Sequence, residues 1–156
     1  MMDLLATQLE FYDSCHQNTI NQWTHVVGLP MIIVGVMMFF SWIRLDFFAA
    51  FNTAISWLIV LAILVYYFLL DKKVAAIMAL VYIIPNWLVG VIVGQAPSKT
   101  SFIVFLVLFV GGWILQFVGH LFEKQRPAFF SSLIQLLIGP IYFVNKLARK
   151  LGIELT

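Results

Sequence analysis

Residues 26–43, 47–70, 74–98 and 100–122 contain no charged side chain, and each run is apolar over most of its length. A helix of about 20 such residues crosses the roughly 30 Å hydrocarbon core of a bilayer. The breaks between the runs, at 44–46, 71–73 and 95–100, are short and polar. Short breaks make neighbouring helices antiparallel, so the pattern predicts an up-and-down bundle of four transmembrane helices. Trp23 and Trp42 bracket the first run. Their separation is about 28 Å along a helix, which suits two interfacial aromatic belts.

Two flanking segments behave differently. Residues 3–17 set Leu4, Leu5, Leu9, Phe11 and Tyr12 among polar neighbours, the pattern of a helix lying in the interface. Asn18, Thr19 and Asn21 then interrupt it, with Asn21 as the expected N-cap of the first span. The run 127–145 is apolar but carries Gly139-Pro140, a pair expected to break a helix by removing a donor and loosening the backbone. It is expected to re-enter or to lie in the interface.

Charge placement supports that reading. Four crossings put Lys72, Lys73, Lys124, Arg126, Lys146, Arg149 and Lys150 on the side of the N-terminus, against Arg44 and Lys99 opposite. The positive-inside rule then places both termini in the cytoplasm, whether the membrane is a bacterial inner membrane or the endoplasmic reticulum. A fifth crossing would divide the basic residues almost evenly. Residues 1–14 hold no Lys or Arg, so a cleaved signal peptide is not expected. No internal repeat or linker divides residues 1–156, which read as one integral membrane domain. Gly90-x-x-x-Gly94 and Gly111-Gly112 are expected to let helices approach closely, and Pro30 and Pro85 to kink helices or to line a cavity with Asn86.

Composition agrees. The chain is 63% hydrophobic and 10% charged, with a mean hydropathy of +1.01, more apolar area than a water-soluble domain can bury. The net charge of +2 is scattered, which leaves no footprint for nucleic acid. The single cysteine, Cys15, excludes an intramolecular disulfide and reads as a small buried residue.

Against so little polar material, the placement of the three histidines matters. His16, His25 and His120 all fall where the antiparallel pattern meets the cytoplasmic boundary. His16 and His25 are nine positions apart and would face opposite ways on one helix, so they can share a centre only across the break at 18–21. Glu123 follows His120 by three positions on the same helix face, where it is either a metal ligand or an ordinary loop charge. Two or three histidines with a carboxylate suit non-haem Fe(II) or Zn(II). Gln116, one turn before His120, either holds that imidazole or satisfies a neighbouring helix. Tyr12, one turn before His16, is either a belt aromatic or a proton donor in the site.

The motif Tyr12-x3-His16-x4-Asn21-x3-His25-x2-Gly28-Leu29-Pro30, with Gln116-x2-Gly119-His120-x2-Glu123-x3-Pro127-Ala128, resembles the Mpo1-like family of membrane 2-hydroxy fatty acid dioxygenases. The resemblance implies an Fe(II) enzyme in which His16, His25 and His120 hold the metal. It also implies that O2 and a 2-hydroxy fatty acid are consumed to give the acid one carbon shorter, a step of fatty acid alpha-oxidation. Tyr12 and Glu123 would then be catalytic, Asn21 and Gln116 would support the ligands, and Arg126 or Lys124 would steer the carboxylate, unless those two cations only mark the loop. The expected partners are this acid, O2 and membrane lipid, with a homo-oligomer compatible. Two alternatives stand beside this reading, a zinc-dependent membrane hydrolase and a non-enzymatic lipid-binding or transport bundle.

Overall fold

The computed structural model describes residues 2–46, 52–94, 96–150 and 152. These residues form six α-helices: α1 (Met2–Ser14), α2 (Thr19–Ser41), α3 (Ile55–Leu70), α4 (Lys72–Val93), α5 (Lys99–Glu123) and α6 (Gln135–Lys150). A short antiparallel pair, β1 (Arg44–Asp46) with β2 (Asn52–Ala54), joins α2 to α3, and a 3-10 turn (Ala128–Phe130) precedes α6. Helices α2, α4 and α5 are long and apolar enough to cross a membrane, while α3 is a shorter apolar helix of 16 residues. Their outer faces are apolar. Ile92 and Leu121 are each 76% exposed, a placement that lipid rather than water would solvate.

The run expected to span 47–70 becomes helical only at Ile55, and residues 47–51 lie outside the described ones. Absence of charge gave no warning there, because Asn52 and Thr53 are polar without being charged and pair with β1 instead. The first span also begins differently from expectation. Asn18, not Asn21, caps α2, its side-chain oxygen accepting from the Ile20 amide at 2.8 Å. Helix α4 is capped by Asp71, whose carboxylate accepts from the Lys73 and Val74 amides, and α5 opens with a Ser98/Ser101 capping box.

Helices α2 and α5 form the tightest seam. A Cβ on Gly112 would lie 2.9 Å from the Gly28 carbonyl oxygen, and one on Gly35 would lie 3.1–3.3 Å from Phe109. Gly119 faces Asn21 and Thr24. The glycines recur at seven-residue spacing on both helices, 28 and 35 against 112 and 119, the interval of a left-handed helix pair. Gly90 and Gly94, by contrast, meet nothing among the described residues, and Gly94 ends α4 at φ +76°. Their expected packing role is therefore corrected: a small residue brings helices together only where a second helix meets it.

Gly139-Pro140 does not break α6, which runs through it. Pro140 lies in the second turn of the helix, and removing one backbone bond does not end the packing of Ile138, Ile141 and Tyr142, all buried. Gly139 is needed for another reason. A Cβ there would meet the Tyr12 hydroxyl at 2.7 Å, so its absence lets α1 settle on α6. Gln8 with Gln135 and Asp13 with Tyr142 add polar bonds between α1 and α6. Tyr67 links α3 to α6 by donating to the Leu137 carbonyl at 2.8 Å.

Candidate metal centre

The four residues between α1 and α2 turn the chain so that His16 faces the same centre as His25, from the second turn of α2, and His120, from the last turn of α5. All three are buried, and their ligand-capable atoms lie within 4.8 Å of one another. The ring centroids are 4.5–4.9 Å apart and the planes nearly perpendicular, at 73–87°. Three neutral imidazoles at this spacing could together hold one divalent cation, which would supply Lewis-acid or redox chemistry there.

Backbone geometry sets two of the tautomers. His16 Nδ1 donates to the Tyr12 carbonyl at 2.7 Å, and His25 Nδ1 donates to the Asn21 carbonyl at 2.8 Å. A carbonyl only accepts, so each Nδ1 carries the proton and each Nε2 keeps its lone pair. His16 Nε2 and His120 Nδ1 are buried without a hydrogen-bond partner among the described residues. Orphaned imidazole nitrogens converging on one point are the arrangement a divalent cation satisfies. Burial pushes His16 down to about 4, partly opposed by its bond to the Tyr12 carbonyl, so at neutral pH it is the uncharged form that binds metals.

Aromatic rings hold the imidazoles. Tyr12 stacks on His16 at 4.0 Å and 6°, and Phe143 lies 6.0 Å from His25 and 6.4 Å from His16. Burial, reinforced by Tyr142, raises the Tyr12 hydroxyl well above the usual phenol range, which keeps it protonated. Phe143 is a contact that sequence reasoning missed, since an apolar residue in an apolar helix carries no distinguishing signal.

Glu123 sits beside the cluster but is turned to the backbone. Its carboxylate accepts from the Gln17 amide at 2.9 Å, the Asn18 amide at 2.8 Å and Asn21 Nδ2 at 2.9 Å. Asn21 Nδ2 also donates to the Cys15 carbonyl, and Gln22 Nε2 to the His16 carbonyl. The carboxylate thus ties the end of α5 to the turn that presents His16. Cys15 is buried and free, as a small packing residue.

A cavity of about 240 Å³ opens from the cluster, lined at its polar end by Tyr12, His16, His25, His120, Gln116 and Gln135, and beyond by apolar residues of α2, α3 and α5. The Gln116 amide nitrogen is buried there with no partner. Lys124 and Arg126 are exposed and do not line this cavity. Asn86 is buried but likewise lies outside the lining, although Tyr82 one turn earlier contributes to it.

Fold and site define a class: a helical protein with long apolar helices, carrying a buried three-histidine centre at the head of an apolar cavity. Within that class, the chain belongs to the Mpo1-like family, whose profile, described as 2-hydroxy-palmitic acid dioxygenase Mpo1-like, matches residues 2–151. It is 30% identical over 152 residues to the 2-hydroxy-palmitic acid dioxygenase MPO1 of Saccharomyces cerevisiae, covering 95% of this chain and 82% of the yeast protein. No solved structure matches.

Proposed function

We propose that this chain is an Fe(II)-dependent dioxygenase that converts a 2-hydroxy fatty acid into the acid one carbon shorter, with His16, His25 and His120 holding the metal. The observation that carries this reading is the convergence of three buried imidazoles, two of them locked as Nδ1–H tautomers, at the head of an apolar cavity. Kinship to a protein named for 2-hydroxy-palmitic acid gives the substrate class. A bound ferrous ion would supply the O2 chemistry that side chains lack. The atoms balance without another reductant: one 2-hydroxy acid and one O2 give the shortened acid, carbon dioxide and water.

The residues divide the remaining work. Tyr12 and Asn21 fix two histidines through their backbone carbonyls, and Glu123 braces the turn that carries His16. Gln116 lines the cavity and has an amide donor with no partner among the described residues, which would bond the carboxylate or hydroxyl of the acid, a role the exposed Lys124 and Arg126 are less able to fill. Apolar walls accept the tail and keep bulk water from the head group. His25 and His120 lie near the same end of the α2–α5 pair, so the site would sit at one membrane face. In this reading α3 completes four crossings, α1 and α6 cover the site without crossing, and both termini are cytoplasmic.

The test is incubation of anaerobically purified, Fe(II)-loaded protein with 2-hydroxypalmitic acid under air and under argon, with products resolved by mass. The shortened acid should form only under air, and His120→Ala should abolish it. Product formed equally under argon, or no 2-hydroxy acid consumed by metal-replete protein, defeats the proposal.

A further inference from the structure

The cavity runs much further than a head group requires. It begins at His25 and reaches Phe40 on the same helix, about 22 Å at ~1.5 Å per residue. An extended 16-carbon chain, at about 1.25 Å per bond projected from ~1.5 Å single bonds, measures about 19 Å. The far end is built where α2 passes into α3, held by the Ile55 amide donating to the Ile43 carbonyl at 2.9 Å. Met37 and Phe40 close it from α2, and Ser56 and Val60 from α3. Met37, Ser56 and Val60 are each no more than 4% exposed and Phe40 is half-buried, so among the described residues this end is lined by packed side chains.

We propose that Met37, Phe40 and Ser56 form the floor of an acyl tunnel and set the chain length of the acid. The inference rests on the proposed function for the head group, but the ruler itself depends only on tunnel length. Each buried methylene contributes about fourfold to binding. A bulky side chain on the floor that displaces two or three methylenes should therefore reduce selection of the long acid roughly 15- to 60-fold. Ser56 is the position for it, being small, buried and part of the floor.

Two measurements test the proposal on the full-length protein in detergent. In the first, a 2-hydroxy acid with a photoreactive group at its terminal carbon is cross-linked and the labelled peptide identified. Label should fall in residues 36–40 or 56–60 and be displaced by unlabelled 2-hydroxypalmitic acid. Undisplaced label on the outer faces, around Ile92 or Leu121, overturns the tunnel. In the second, kcat/KM ratios for C16 over C12 and for C20 over C16 acids are compared in Ser56→Phe and Phe40→Ala, with bound metal per chain confirming that each variant has folded. Ser56→Phe should shift the ratio towards C12 and Phe40→Ala towards acids longer than C16. Unchanged ratios in both variants overturn the ruler while leaving the dioxygenase standing. Displaceable floor labelling without turnover of any acid supports the tunnel and removes the proposed reaction.

Discussion

Replacing Gly112 with alanine should damage both the fold and the three-histidine cluster proposed to hold the metal, although the same change in an isolated helix is favourable. The added Cβ would meet Ile32 Cγ1 at 2.7 Å, the Gly28 carbonyl oxygen at 2.9 Å and the Ile32 amide nitrogen at 3.1 Å. The first neighbour can rotate, but the other two are backbone and can retreat only if α2 moves. Restoring ordinary contact requires the seam to open by about half an ångström. Overpacking costs about 1–3 kcal/mol, and the helix propensity gained returns about 1 kcal/mol, leaving a net loss of about 0–2 kcal/mol, or about 1–3 kcal/mol relative to a glycine whose Cβ meets nothing.

Gly90→Ala is the matched control, because among the described residues nothing lies within 4 Å of its Cβ position and only helix propensity applies. It should be neutral or stabilising by up to about 1 kcal/mol. The seam also positions His25 and His120. Metal–ligand distances tolerate about 0.2 Å, so an opening of this size should weaken metal binding by about 10- to 100-fold. Denaturant titration in mixed micelles reads the first effect and competitive metal titration the second. A Gly112→Ala protein as stable as Gly90→Ala, with unchanged metal affinity, would refute the reasoning.

Each of His16→Ala, His25→Ala and His120→Ala should strongly reduce bound metal by elemental analysis, and full occupancy in the triple variant would remove the centre. Glu123→Gln should weaken metal affinity by about 10- to 100-fold without abolishing it, because the carboxylate braces the His16 turn; a complete loss, matching a histidine deletion, would make Glu123 a ligand instead. Cysteines placed at Lys73 and Lys150 in a Cys15→Ser background should label from one side of the membrane and a cysteine at Lys99 from the other. Labelling of 73 and 150 from opposite sides would make α6 a crossing helix.

The shared depth of the histidines was legible because short polar breaks fix the direction of each helix, which brings His25 and His120 to one end. The need for a break between His16 and His25 was equally legible, since nine helical positions cannot share a face. The hydrogen-bonding of Glu123 was not. Its spacing from His120 fits a ligand, whereas its actual partners are two backbone amides of a turn whose shape no pattern specifies and the Asn21 side-chain amide. The start of α3 was missed because counting charges overlooks Asn52 and Thr53. The seam glycines were legible in part: Gly111-Gly112 pointed to a close approach, which Gly112 makes against Gly28, whereas the four-residue interval within α4 meets no described residue and the seven-residue interval shared by two helices was the fuller signal. A small residue marks a contact only where a second helix meets it, as Phe109 meets Gly35, so evidence from one helix is incomplete.

The break between α1 and α2 explains why so much of the chain's scarce polarity is concentrated there. Turning a chain exposes main-chain donors that a continuous helix would satisfy, and leaving them buried and unpaired costs about 1–3 kcal/mol each. Glu123 accepts two of these donors, while Asn21 and Gln22 supply donors to the Cys15 and His16 carbonyls of the same turn. The carboxylate that neighbours the centre therefore acts on it through geometry, by stabilising the one conformation in which His16 faces His25. A single continuous helix over residues 2–41 would need none of these polar groups, but it could not bring the two imidazoles together. The turn is the structural condition for a three-histidine site built from only two long helices, and the polar residues around it follow from that condition.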